Sequence, residues 1–328
     1  MRTKLILATL VMSAATFAQA QVAGQLSNVT RLTNDVGTKY ENPRFSPDGQ
    51  QIAFTKFGYE GIQVMKVDGT ARKTLSRDLG VGYGYQWSAD GNEILVRDSR
   101  IETAPNGKPF VHGIFTIDMD GKKTRLSKDA GDMWPAAWRY TANGTAIAVF
   151  DGKKVNTNRK LKALSGQNAN AGIPRKLKTE LAKPAYRISF ISDCEYLWAV
   201  DANGAKKAIY TGVALCPALS LDGKQVAFVN EIDEICVMSV DGTGLKKVGK
   251  GFNPQWVNGN QLIYERTTDD GHNYLTGELY LLNIGTKAEK KLTNTSGRIE
   301  MNPSISADGK KLVFTDHTDG QVYVADLK

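Results

Sequence analysis

The chain has 328 residues, 41% of them hydrophobic and 23% charged, with 32 glycines, 10 prolines and a formal net charge of +8. This composition excludes collagen and argues against disorder throughout. No apolar run reaches 18 residues, so no membrane-spanning helix is expected.

The first twenty residues read as a cleavable export signal. Arg2 and Lys4 form a basic start, Leu5 to Ala15 is mostly apolar, and Ala18-Gln19-Ala20 places small residues at the positions a signal peptidase reads. Cleavage is expected after Ala20, giving a periplasmic or secreted protein. No Cys follows the apolar segment, so no bacterial lipid anchor is expected. The leader carries two of the 42 basic residues, so the exported chain carries +6 against its 34 acids.

Residues 21–328 then show one repeated unit. Asn42 to Gly49 precedes a strand at Gln51 to Thr55, and Gln86 to Gly91 precedes one at Glu93 to Arg97. Ala137 to Gly144 precedes Ala146 to Phe150. Ala218 to Gly223, Pro254 to Gly259 and Asn302 to Gly309 precede Gln225 to Val229, Gln261 to Glu265 and Lys311 to Thr315. Each junction is a tight hairpin: Ser bonds the turn backbone, Asp tolerates the third corner and Gly takes the left-handed position. A second turn recurs at Val67-Asp68-Gly69-Thr70, Met119-Asp120-Gly121-Lys122 and Val240-Asp241-Gly242-Thr243. The unit is therefore a four-stranded antiparallel blade, and radial repetition of such blades makes an all-β propeller.

The stretch from Asn143 to Asp222 spans 79 residues, room for one blade with an insertion or for two, so spacing allows six or seven blades. Strands are expected there at Arg187 to Ile191, Glu195 to Val200 and Lys206 to Tyr210. A basic insertion is expected around 152–185. From Gly152 to Arg187 there are ten Lys or Arg and one acid, Glu180, a charge that attracts phosphate, sulfate or acidic sugar. Export argues against nucleic acid as the partner. Val29-Thr30-Arg31-Leu32-Thr33-Asn34 copies the fourth-strand segment Lys290-Lys291-Leu292-Thr293-Asn294, while the chain ends on a third strand, Gln321 to Asp326. The first strand is thus expected to complete the last blade and protect both edges.

These units resemble the propeller repeats of TolB proteins and of the N-terminal domains of the dipeptidyl-peptidase family. The carrying residues are Phe45-Ser46-Pro47-Asp48-Gly49, Trp87-Ser88-Ala89-Asp90-Gly91 and Ile305-Ser306-Ala307-Asp308-Gly309, and the resemblance covers nearly all of residues 28–328. It implies a single propeller domain and favours six blades. TolB proteins carry an α/β domain ahead of the propeller, and the peptidases carry a hydrolase domain after it. Neither is expected here, so the resemblance implies the fold and neither activity.

The loops opposite the Asp-Gly hairpins are the longer ones, and loops of that kind carry function. The expected funnel-mouth residues are Tyr40, Glu41, Tyr83, Tyr85, Asp132, Trp134, Arg298 and Glu300. His112, His272 and His317 fall on the same face. Asp270, His272, Asp316 and His317 are weak candidates for a shared cation site, outweighed by ordinary turns, so no metal and no cofactor is expected. There is no Gly-x-Ser-x-Gly elbow. Cys194, Cys216 and Cys236 are odd in number and lack C-x-x-C spacing. The expected function is non-catalytic binding or scaffolding, with an envelope or extracellular protein, a peptide or a glycan as partner. The alternative is a carbohydrate-active lyase or hydrolase with acids in the funnel, for instance Glu41 facing Glu300.

Overall fold

The computed structural model describes residues 26–102, 107, 109–131, 133, 135–140, 145–150, 153–160, 189–192, 195–201 and 205–328. The expected leader and residues 161–188 of the basic block lie outside the described residues. All regular structure within them is β.

Strand β1 (Leu26–Arg31) comes first in the chain but belongs to the last sheet. The first sheet holds β2 (Tyr40–Phe45), β3 (Gln51–Lys56), β4 (Glu60–Lys66) and β5 (Lys73–Ser76). The second holds β6 (Gln86–Trp87), β7 (Glu93–Ile101), β8 (Phe110–Asp118) and β9 (Lys123–Arg125). The third holds β10 (Ala137–Tyr140), β11 (Thr145–Phe150) and β12 (Lys153–Lys160), and the fourth β13 (Ser189–Ser192), β14 (Tyr196–Val200) and β15 (Lys206–Thr211). The fifth holds β16 (Leu215–Leu219), β17 (Gln225–Val229), β18 (Glu234–Ser239) and β19 (Lys246–Lys250). The sixth holds β20 (Phe252–Asn258), β21 (Gln261–Asp269), β22 (Tyr274–Asn283) and β23 (Glu289–Lys291). The seventh holds β24 (Glu300–Ile305), β25 (Lys311–Asp316) and β26 (Gln321–Leu327), completed by β1.

The described residues thus form seven antiparallel sheets, where spacing left six or seven open and the resemblance favoured six. The additional sheet, β13–β15, occupies the long gap between repeats. Part of the basic block is also strand: β12 reaches Lys160, which pairs with Thr145, although its sequence lacks period-two alternation.

The repeated hairpin forms as its residues dictate. Ser46 Oγ donates to Asp48 Oδ1 (2.6 Å) and accepts from Gln51 N (2.9 Å), while Gly49 N closes the turn on Ser46 O at φ 71°. Ser88, Ser220 and Ser306 repeat the contact with Asp90, Asp222 and Asp308. Behind each hairpin the second strand buries a large side chain. Phe54, Phe228, Tyr264 and Phe314 are all at most 1% exposed. Each such burial favours the fold by about 1.5–3 kcal/mol.

Three of the sheet boundaries are locked by a tryptophan near the end of the inner strand, just ahead of the hairpin. Trp87 Nε1 donates to Arg44 O (3.3 Å), Trp138 Nε1 to Gln86 O (3.2 Å) and Trp256 Nε1 to Ala218 O (2.9 Å), each on the preceding inner strand. The indole fills the wedge between sheets and still satisfies its one donor. Arg139 Nη2 links the third sheet to Val200 O of the fourth (3.3 Å).

The ring closes as expected. β1 pairs antiparallel with β26, Thr30 opposite Val324 and Arg31 opposite Tyr323. Leu32 N donates to Val322 O (2.8 Å), and Val322 N donates to Thr33 Oγ1 (3.0 Å). Thr293 plays the same part in the sixth sheet, accepting from Leu279 N (2.9 Å). Tyr40 N then reaches Gly320 O (2.8 Å), and β2 packs on β24, so the first sheet meets the seventh.

Four inner strands carry a bulge that the repeat reading passed over. Asn42, Cys216, Asn253 and Asn302 all sit at φ 50–56°, each is followed by proline, and the ladder shifts register at each. Proline has no N–H for the ladder, and Asn tolerates the left-handed turn. The bulges at Asn42, Asn253 and Asn302 line a small cavity of about 30 Å³ between the inner strands of the first, sixth and seventh sheets.

Candidate functional site

Antiparallel alternation puts the Asp-Gly hairpins on one face and the remaining connections on the other. Exposed large apolar side chains gather on the second face: Val36, Phe57, Leu79, Ile101, Ile232 and Tyr274 all lie in or beside those connections, against Leu221 and Leu245 at the hairpin face.

At the centre of this face the chain builds an aromatic mouth. The β3–β4 turn, Phe57-Gly58-Tyr59, is too short to bury either ring. Tyr59 meets Tyr83 edge to face at 5.3 Å between ring centroids. His317, in the β25–β26 turn, lies between Tyr274 (5.3 Å) and Phe57 (6.2 Å), joining the first, sixth and seventh sheets. Lys39 Nζ is 3.2 Å from His317 Nε2, and burial together with that cation pushes the imidazole pKa down. Tyr59 itself holds a left-handed backbone (φ 61°), uncommon for a bulky residue, with its N–H on Glu41 Oε1 (2.7 Å).

Two carboxyls stand at and below this mouth. Glu41 is half-buried, and burial raises its pKa against the pull of the Tyr59 and Gly58 amides. Glu265, at the end of a buried run in β21, is 2% exposed. It accepts from Asn253 Nδ2 (2.7 Å) and from the Asn302 amide of the next sheet, yet burial still raises it to about 7. The matching strand position is Thr55 in the first sheet, Arg97 in the second and Thr315 in the seventh. Arg97 donates to Met133 O (3.0 Å) and stacks on Tyr83 at 4.7 Å. Cys216 is a free thiol at the Asn253 bulge. Its side chain is exposed to solvent, yet the protein crowded around it desolvates the thiolate, and this, with the charge of Glu265 second, raises it to about 11. Cys236 is free and buried, and Cys194 lies outside the described residues.

Of the residues expected at the mouth, Glu41 and Tyr83 stand there. Tyr40 (5% exposed) and Tyr85 (1%) are instead core residues between sheets. The Tyr40 hydroxyl donates to Asp35 (3.0 Å) beneath Arg72, and that of Tyr85 bonds Asn42 O (2.6 Å) and Ala53 O (2.8 Å). Arg298 lies in the seam of the last two sheets, 3.5 Å from Asp316 and stacked on Tyr323. Glu300 is 1% exposed in the same seam, with Thr295 bonded and Glu278 and Asp316 as acidic neighbours. Burial, first, and then those charges raise it to about 7. Glu41 and Glu300 therefore do not face each other across the funnel. Asp132 and Trp134 lie outside the described residues.

The histidines do not assemble a cation site. Asp270 turns back onto the amides of His272 (2.9 Å) and Asn273 (2.7 Å), and buried Asp316 is taken by Ile299 N and Thr318 N. His112 Nδ1 faces Ser99 Oγ (3.0 Å) in the second sheet. Among the described residues no group of three or more His, Cys, Asp or Glu could hold a metal.

Phe57, Tyr59, Tyr274 and Glu265 were not singled out by sequence. The available signals were aromatics flanking Gly58 in a short turn, and an acid ending the buried run Leu262-Ile263-Tyr264. A larger cavity of about 700 Å³ lies apart from the mouth, between the fifth and sixth sheets. Val248 and Phe252 line it with Lys250, Arg266 and Glu289.

Fold and site together define a closed β-propeller whose connecting loops gather into an aromatic mouth. Among curated proteins, the chain is 27% identical over 205 residues to a protein TolB homolog of Chlorobium chlorochromatii, covering 56% of this chain and 44% of that protein. It is 33% identical over 99 residues to the Tol-Pal system protein TolB of Gluconobacter oxydans, covering 29% and 21%. Among solved structures, TolB of Acinetobacter baumannii matches with a TM-score of 0.50 at 18% identity over 81% of this chain and 57% of that one. A β-propeller domain from Myceliophteria thermophila matches at 0.55 with 13% identity, over 90% and 98%. No family model matches. The chain is a TolB-like β-propeller protein, and its matches span less than half the length of the curated relatives.

Proposed function

We propose that this protein is an exported propeller that works by binding a protein partner of the cell envelope at the aromatic mouth, without chemistry of its own. One observation carries the reading: large apolar and aromatic side chains stay exposed in the connections of one face, the mark of an interaction surface rather than of a solvated rim. The likeness to a protein named for the Tol-Pal system supports an envelope setting. The amino-terminal segment Arg2 to Ala20 supports export to the periplasm or beyond.

A photo-cross-linking side chain placed at Phe57, and separately at Leu221, tests this in envelope extract. The Phe57 position is expected to trap one discrete protein, and a Tyr274→Ser change is expected to abolish that adduct. Equal adducts from both positions, or none from Phe57, would overturn the reading.

A further inference from the structure

The mouth combines aromatic rings with carboxyls that no cation neutralises. Among the described residues Glu41 and Glu265 form no ion pair, and their partners are backbone amides and the Asn253 side chain. Asp269, the last residue of β21, accepts among the described residues from Gly271 N (2.9 Å). The Tyr274 hydroxyl feels the charges of Glu265, Asp269 and Glu41, and the Tyr59 hydroxyl feels that of Glu41. The two rings are 39% and 38% exposed. Two cations border the mouth, each already held by its own partner: Arg97 stacks on Tyr83 and donates to Met133 O, and Lys39 lies against His317, while Arg44 sits over the buried Tyr85 at 5.7 Å.

Exposed tyrosine faces beside unpaired, partly desolvated carboxyls attract a cation through both the ring quadrupole and the charge. We propose that the mouth takes a basic side chain, an arginine or lysine of an extended segment of the partner, its head beside Tyr59 and Tyr274 and against Glu41, with Glu265 supplying field from below. This rests on the reading of the mouth as the binding surface, and it adds the chemistry of the residue bound.

The test uses the full chain and two fluorescein-labelled Gly/Ser nonapeptides, one with a central arginine and one with the isosteric neutral citrulline. Fluorescence anisotropy at low salt and pH 8 is expected to show the arginine peptide binding about tenfold tighter or better. Glu41→Gln is expected to remove most of that difference. The preference is also expected to shrink toward pH 5 as the carboxyls protonate. Equal affinity for the two peptides, with Tyr274→Ser weakening both, would overturn the basic-residue inference and leave the mouth as a binding surface. An arginine preference untouched by Glu41→Gln and Tyr274→Ser would overturn both. Failure of the arginine peptide to bind at millimolar concentration would overturn the inference. Comparison of the two peptides on the unmodified protein keeps the test valid should a variant misfold.

Discussion

The backbone amide of Asn302 donates to the Glu265 carboxylate across the boundary between the sixth and seventh sheets. The bulge that turns Asn302 away from its own ladder frees its N–H for this contact. In the same seam one buried carboxyl oxygen of Glu300 has no hydrogen-bond partner among the described residues, so the last two sheets meet around two acids that burial keeps from ionising easily.

That seam makes stability pH-dependent. Glu300 rises from 4.5 to about 7 on folding, so its contribution is full below pH 4.5 and is lost as pH climbs through 7. Glu300→Gln is expected to raise the melting temperature at pH 8 and leave it near wild type at pH 4. The difference is at most about 3 kcal/mol in unfolding free energy. Thermal melts of both proteins across this range check the sign.

The bulge itself is testable at Asn302, where φ is 56° and Nδ2 donates to Thr315 Oγ1 (3.0 Å). Asn302→Gly keeps the left-handed backbone at no steric cost, whereas Asn302→Ala does not. Urea denaturation is expected to find the alanine variant less stable than the glycine variant by about 1 kcal/mol.

Ring closure depends on the Thr33 hydroxyl accepting from Val322 N. Thr33→Val preserves the shape but strands a buried amide, and is expected to cost about 1–3 kcal/mol. Native-state hydrogen exchange is expected to show the loss first at β1 and β26. Uniform loss across all seven sheets would contradict closure through this strand pair.

Cys216 reports on the mouth. With its thiol raised to about 11, alkylation at pH 8 is expected to run about a hundredfold slower than at an unperturbed cysteine. Mass spectrometry of the iodoacetamide-treated protein measures the rate. Bound partner is expected to slow it further.

Much of the architecture was legible because it is local. Ser46, Asp48 and Gly49 form their turn from contacts within five residues, and the copy of Leu32-Thr33 at Leu292-Thr293 announced the shared fourth-strand role. The mouth was less legible. Tyr40 and Tyr85 carry the same chemistry as Tyr59 and Tyr274, yet the first pair is buried and the second exposed. Residue type and strand position could not separate them.

The amino-acid order alone therefore determined the blade and the turn at each corner, since both follow from short-range hydrogen bonding and period-two burial, and it marked the pairing that shuts the ring through the repeated Leu-Thr segment. Only the tertiary structure decided which aromatic rings face solvent, that Glu265 lies under them while Glu300 is sealed in a seam, and that Asn-Pro bulges of three sheets line one small cavity. Those outcomes depend on how sheets distant in sequence are brought edge to edge, and burial there is set by the neighbouring sheet rather than by the residue's own strand.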